Sequence, residues 1–363
     1  MSKLDSLSAI GQSIWFDYIQ KSLLRDGKLE KLINLGIRGV TSNPSIFEKA
    51  ITGSNDYDDL IMVMSEAGAS AEQIYEALAV EDVSDAADFF LPLYESSRGT
   101  DGFVSIEVNP KLAYETNGTV AEARRLFDLI SRPNIMIKIP ATREGIPAIR
   151  ELIGSGININ ATLMFSEKHY REVAEAYMSG LELLRSRGGD PATTASVASF
   201  FVSRLDTAVD PLLPGAGKED LCGRVSIANA KHVYRIFQEV FSGDRWNELA
   251  HAGARVQRLL WASTGTKNPG YSDTLYVDEL IGRDTINTLP PSTLSFFIDH
   301  GTVHETITSG ILEEENSLQG LRDAGINLAE ITEQLQEEGV QAFIDSYDNL
   351  IKAIAEKQES VAY

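Results

Sequence analysis

The stretch Ile135-Met-Ile-Lys138-Ile-Pro-Ala-Thr142 decides how the rest of the chain is read. It is apolar and β-branched, as short as a strand, stopped by Pro140, and holds one lysine in its interior. Side chains alternate along a strand, so Met136 and Lys138 share the inward side while Ile135, Ile137 and Ile139 pack outward. A low-dielectric site disfavours the ammonium and moves a lysine toward its free amine. Only the free amine attacks a carbonyl to form a Schiff base. Taken alone, the stretch fits better a plainer lysine, paired with a carboxylate or reaching water. Its neighbours have to decide.

Outward from this stretch, similar short runs recur. Strands are expected at Ser13–Phe16, Gly39–Thr41, Phe103–Val108, Ile135–Ile139, Ile157–Met164, Ser196–Val202, Arg258–Ser263 and Thr285–Leu289. Amphipathic segments lie between them: Gln20–Leu35, Ser70–Ala79, Val83–Ser97, Val120–Ser131, Gly145–Ser155, Ser166–Arg187, Leu221–Ser242 and Trp246–Gly253. After the eighth strand come Pro291–Gly301, Val303–Glu314, Asn316–Ala324, Leu328–Glu338 and Val340–Lys357. Strands alternating with helices of this length make βαβ units and a parallel sheet. Eight of them suggest closure into a (β/α)8 TIM barrel in one domain spanning 1–363. An open doubly wound sheet would normally advertise a Gly-rich phosphate turn, and neither G-x-G-x-x-G nor a Walker A is present. Extra helices are expected in the second βα unit, between Asn43 and Phe103, and at the C-terminus. The helix Val340–Lys357, with Phe343 and Tyr347, either crosses the barrel mouth or packs on the helical shell.

Composition narrows the function. The formal charge of −21 argues against nucleic-acid or anionic-membrane binding, so a phosphate substrate would need particular Lys or Arg residues to counter the field. A single cysteine, Cys222, fits a reducing cytoplasm, and no apolar run approaches a membrane span or a signal peptide. His300 and His304 stand four apart, but Gly301 and the lack of a third ligand argue against a metal pair. Trp15, Trp246 and Trp261 read as packing residues.

The strand ends carry polar residues that a purely structural strand does not need. Asp17 follows the first strand; Thr41 and Asn43 end the second. Ser105 and Glu107 share one side of the third, Lys138 lies in the fourth, and Asn160 and Thr162 share a side of the fifth. The sixth brings Ser199, Phe201 and Arg204. In a barrel these sides converge at the carboxyl ends, where such enzymes place their chemistry. Each has a plainer reading: a Glu107–Lys138 ion pair, a helix N-cap at Asp17, turn chemistry at Asn43, an Arg204–Asp206 pair. Together, on successive strands, they point to a site.

The motifs GVTSNPSIF (Gly39–Phe47), SIEVNP (Ser105–Pro110), MIKIPAT (Met136–Thr142), ININATLMFS (Ile157–Ser166), ASFFVSRLD (Ala198–Asp206) and LLWASTGTKNP (Leu259–Pro269) carry a specific resemblance. Over nearly its whole length the chain resembles the transaldolases, in their longer bacterial branch. The resemblance implies a cofactor-free, circularly permuted class I aldolase-type barrel. It implies transfer of a dihydroxyacetone unit between sugar phosphates of the pentose phosphate pathway, with no metal. By motif position Lys138 becomes the Schiff-base lysine and Asp17 the acid/base at the C4 hydroxyl. Glu107, with Thr162, would hold a proton-shuttling water. Asn43, Asn160 and Ser199 suit the dihydroxyacetone hydroxyls, with Thr41, Ser105 and Phe201 around them, and Arg204 matches the phosphate-binding arginine. Many relatives carry a second arginine after the seventh strand; here Lys267 stands in its place. Oligomeric state, monomer or homodimer, stays open.

Overall fold

The computed structural model describes residues 2–361. Its eight strands are β1 (Gln12–Phe16), β2 (Ile37–Val40), β3 (Phe103–Glu107), β4 (Ile135–Pro140), β5 (Ile159–Met164), β6 (Ser196–Phe201), β7 (Arg258–Ala262) and β8 (Thr285–Leu289). They pair in chain order, all parallel, and β8 returns to β1, closing an α/β TIM barrel. Every strand expected from the sequence is present. Closure leaves no sheet edge, and the β-branched runs that gave the strands away are buried on both faces.

Alternation sorts the side chains into two layers. Ile135, Ile137 and Ile139 join the large apolar cluster that also takes Ile149 and Leu152 of the helix Gly145–Ile153. Met136 joins Trp15, Phe103, Val197, Leu260 and Ile286 in the smaller cluster inside the barrel. Gly39 makes room for that filling, because a Cβ there would sit 2.7 Å from the Trp15 ring and 2.8 Å from the Phe103 carbonyl oxygen. At the amino end of the strands, Arg258 pairs with Asp101 at 3.0 Å and donates to Ser13 Oγ and the Thr285 carbonyl, both at 2.7 Å. This buried cluster closes the end of the barrel away from the candidate site.

The helices depart from expectation in places. Gln20–Leu35 splits into Lys21–Arg25 and Lys28–Leu35, because Gly27 adopts φ +65° between them. The region between β2 and β3 contains Pro44–Thr52, Asp58–Glu66 and one long helix, Ala71–Ser96, where two separate segments were expected. The long helix begins at a Ser70–Gln73 capping box and runs through Pro92. No helix occupies 303–310; the next begins at Ile311, behind Gly310 at φ +74°, and runs to Asp323. His300 ends the helix Pro291–His300, so it shares no helix with His304, and it bonds Asp273 and Asp299. The two expected C-terminal segments are one helix, Leu328–Val361. The segment Lys3–Ile10, unremarked in the sequence, is a helix capped by Ser2. Among the described residues no helix is long and apolar enough to cross a membrane.

Candidate active site

The register of the parallel strands builds the site. Glu107 lies opposite Lys138 across β3 and β4, and Lys138 lies opposite Asn160 across β4 and β5. The three therefore stand at one level inside the barrel, near its carboxyl end. Lys138 Nζ is 3.3 Å from Glu107 Oε2 and 3.5 Å from the Ser42 carbonyl oxygen, with both side chains almost fully buried. Among the described residues neither Glu107 carboxylate oxygen has a hydrogen-bond partner, and the same is true of Thr162 Oγ1. Burial pushes the Glu107 carboxyl up to about 7 against the pull of the Lys138 ammonium. Such a group can take and release a proton near neutral pH.

Asp17 follows β1 on the other side of the cavity. It accepts a 2.6 Å hydrogen bond from Thr41 Oγ1, which also lies 2.6 Å from Thr288 Oγ1. Burial raises its carboxyl above the ordinary range, opposed by that hydrogen bond and by Lys138 and Lys49. Asp17 caps no helix: the next one starts at Lys21, and its N-cap, Gln20, makes no side-chain cap bond. Asn43 does serve the plainer role, since its Oδ1 accepts from Ile46 N at 3.0 Å as N-cap of Pro44–Thr52. Asn43 also lines the cavity, and its amide nitrogen makes no hydrogen bond among the described residues.

A cavity of about 430 Å³ opens above these groups, lined by Asp17, Thr41, Asn43, Lys138, Thr162, Ser199, Phe201, Arg204 and Lys267, among others. Ser105, Asn160 and Glu107 stand outside that lining. Asn160 accepts from Ser199 Oγ at 2.6 Å and donates to Ser105 Oγ at 3.1 Å, so this buried chain orients Ser199 from behind. Arg204 makes no ion pair among the described residues. Asp206, its sequence neighbour, instead accepts from Ser226 N and Tyr276 Oη, both at 2.8 Å. The Arg204 guanidinium lies 5.4 Å from the Phe201 ring centre, and partial burial lowers its pKa. Lys267 is exposed at the rim.

Sequence reasoning missed the wall residues Lys49, Tyr18 and Thr288, and it placed Phe343 only on a helix that either crosses the barrel mouth or packs on the shell. Lys49 sits two residues beyond GVTSNPSIF, on a helix absent from the expected elements. Phe343 comes from the C-terminal helix, and its ring centre is 5.0 Å from Lys138 Nζ. On the same helix, Gln336 donates to the carbonyls of Ala141 at 3.0 Å and Leu163 at 2.9 Å. Leu163 follows Thr162 with φ +63°, a strained conformation for leucine, at a shift of register between β5 and β6.

The comparisons agree with this architecture. The family described as Transaldolase/Fructose-6-phosphate aldolase matches residues 14–354. The chain belongs to it. A protein named Transaldolase 1 from Streptomyces avermitilis is 45% identical over 360 residues, covering 98% of this chain and 95% of its own. Transaldolases from Trichodesmium erythraeum and Parafrankia sp. are also 45% identical, over 362 and 368 residues. The first covers 96% of this chain and 95% of its own, the second 100% of both. The family is one of enzymes, and these relatives bear the name of a transferase.

Proposed function

We propose that the protein is a transaldolase that moves a dihydroxyacetone unit from a ketose phosphate to an aldose phosphate through a Schiff base on Lys138. The donors would be sedoheptulose 7-phosphate or fructose 6-phosphate, and the acceptors glyceraldehyde 3-phosphate or erythrose 4-phosphate. The observation that carries the reading is one buried amine beside a carboxylate of raised pKa, inside a cavity that also holds an unpaired arginine.

The chemistry then follows from the residues. Lys138 adds to the ketose C2 carbonyl, and loss of water from the carbinolamine gives a protonated imine. Glu107, which pairs with Lys138 but accepts no hydrogen bond among the described residues, and Thr162, whose hydroxyl is likewise unpartnered there, fit a water that carries protons during that dehydration. Imine formation draws electrons from the C3–C4 bond, so cleavage leaves a neutral enamine in place of a carbanion. Asp17 takes the C4 hydroxyl proton as the bond breaks and returns it when the acceptor aldehyde adds. With one carboxylate paired to Lys138 and the other held by Thr41, the work divides between imine chemistry and carbon–carbon chemistry. Ser199 and the Asn43 amide nitrogen suit the substrate hydroxyls, with Thr41, Phe201, Ser105 and Asn160 shaping and supporting that wall. Arg204 offers a bidentate fork to the phosphate, and Lys267 adds a point charge at the rim. No cofactor takes part.

The alternative within the family, cleavage of fructose 6-phosphate without transfer, is opposed by Glu107, which that branch replaces. A coupled assay decides. Sedoheptulose 7-phosphate with glyceraldehyde 3-phosphate should yield erythrose 4-phosphate and fructose 6-phosphate, with little free dihydroxyacetone. Release of dihydroxyacetone from fructose 6-phosphate at full rate without an acceptor would instead make the protein an aldolase.

A further inference from the structure

The helix Leu328–Val361 brings two side chains onto the catalytic end of the barrel from about two hundred residues away in the chain. Gln336 uses its amide to bind two main-chain carbonyls, those of Ala141 after β4 and Leu163 near the end of β5. Two turns further on, Phe343 is 4% exposed and has its ring over Lys138 Nζ. Residues seven apart lie on one face of a helix, so fixing Gln336 also fixes where Phe343 points. Ser346 Oγ, 2.6 Å from Ser45 Oγ, and Asp348, 2.6 Å from Lys111, hold the following turn. The aromatic face is thus rigidly mounted against the one atom that would become the imine nitrogen.

An aromatic face near a cation stabilises it by about 0.5–2 kcal/mol, most where water is excluded. The iminium is that cation, but it forms in both routes below, so it is the access of water, not this contact energy, that separates them. The enamine left after cleavage has two fates. In transfer, its nucleophilic carbon bonds to an acceptor aldehyde, and the resulting iminium is then hydrolysed to the new ketose. In the unproductive route that carbon takes a proton, water adds to the imine carbon, and the C–N bond breaks. The products are free dihydroxyacetone and the lysine amine. The second route needs a water beyond the one that Glu107 and Thr162 would hold to reach the imine carbon before the acceptor arrives.

We propose that Phe343 is a specificity-determining residue that shields the imine from bulk water while the acceptor is awaited, favouring transfer of the three-carbon unit over its hydrolytic release. Gln336 acts as its positioning residue. This rests on the Schiff-base reading of Lys138. The test uses the full chain and its Phe343→Ala and Phe343→Leu variants, with fructose 6-phosphate as donor and erythrose 4-phosphate as acceptor. The ratio of free dihydroxyacetone to transferred product is measured, and borohydride trapping on Lys138 is mapped in parallel. Phe343→Ala should raise the ratio roughly tenfold, equivalent to about 1.4 kcal/mol of discrimination. Phe343→Leu keeps most of the bulk and should raise it by about threefold, which decides the matter if the alanine variant does not fold. Ratios within about twofold of the parent in folded variants that still trap on Lys138 overturn the proposal. If the parent itself gives no adduct on Lys138, the Schiff-base reading is what fails.

Discussion

Lys138 and Glu107 form a buried pair, and removing one partner of such a pair usually destabilises a protein because a charge is stranded. Here the raised pKa of Glu107 provides an escape, since the stranded carboxyl can take a proton. Lys138→Ala is therefore expected to lower turnover roughly a thousandfold or more, while its melting temperature near pH 6 stays close to the parent's. A large loss of stability there would make the lysine chiefly structural. Asp17→Ala should still be trapped by borohydride but stall at cleavage, so failure to trap any adduct would contradict the division of labour between the two carboxylates. Arg204→Ala removes a charged fork and should raise KM for sugar phosphates by roughly ten- to a hundredfold, with a smaller effect on unphosphorylated analogues. At this scale much of the site could be read from the chain. Period-2 alternation puts Glu107 and Lys138 on inward faces of consecutive strands, and parallel register sets them side by side. Lys49 could not be found this way, and for Phe343 the choice between barrel mouth and helical shell stayed open, because only the fold connects them to the cavity. For Cys222, partial burial and nearby Asp210 and Glu219 hold the thiol above its ordinary value, which disfavours the reactive thiolate.

Among the elements, the strands were legible because β-branched runs between turn residues have few other uses. The helix ends were less so. Two C-terminal segments were expected on either side of Gly339, yet a glycine inside a helix costs only about 1 kcal/mol relative to alanine. The continuous helix packs it against the barrel: a Cβ there would lie 2.9 Å from Leu163 Cδ2. Gln336 then completes the contact by satisfying two carbonyls that the strand ends leave open. Gln336→Leu keeps the volume but leaves both carbonyls unpaired, at a cost of about 1–3 kcal/mol. The expected outcome is a lower denaturation midpoint, with faster hydrogen exchange in residues 328–361 and around 163. Unchanged exchange there would mean that the helix is held by its apolar face alone.

For the whole molecule, a net charge of −21 surrounds a cavity whose walls carry Lys138, Arg204, Lys49 and Lys267 against Asp17. The composition gave the sign of the exterior but could not locate this local reversal, which brings together a strand residue, two helix residues and a loop residue from four different βα units. Buried acids also shape the pH dependence of stability. Asp82, which accepts from Tyr57 Oη at 2.7 Å, is raised to about 7, chiefly by burial. Its folded pKa lies above its unfolded value. The stability it contributes is thus fully present below about pH 4 and is lost as pH rises through about 7. Asp82→Asn removes that loss. Its melting temperature relative to the parent should be more favourable at pH 8 than at pH 5, by about 3 °C. A difference that is flat with pH would show that Asp82 stays charged in the folded protein across this range.

One covalent bond, between Lys138 and the substrate carbonyl carbon, decides the mechanism. Incubating the protein with fructose 6-phosphate and borohydride, then digesting and mapping the adduct by mass spectrometry, tests it directly. The predicted result is a reduced three-carbon or six-carbon adduct on Lys138 alone. No adduct, or one on another lysine with Lys138 unmodified, would contradict it.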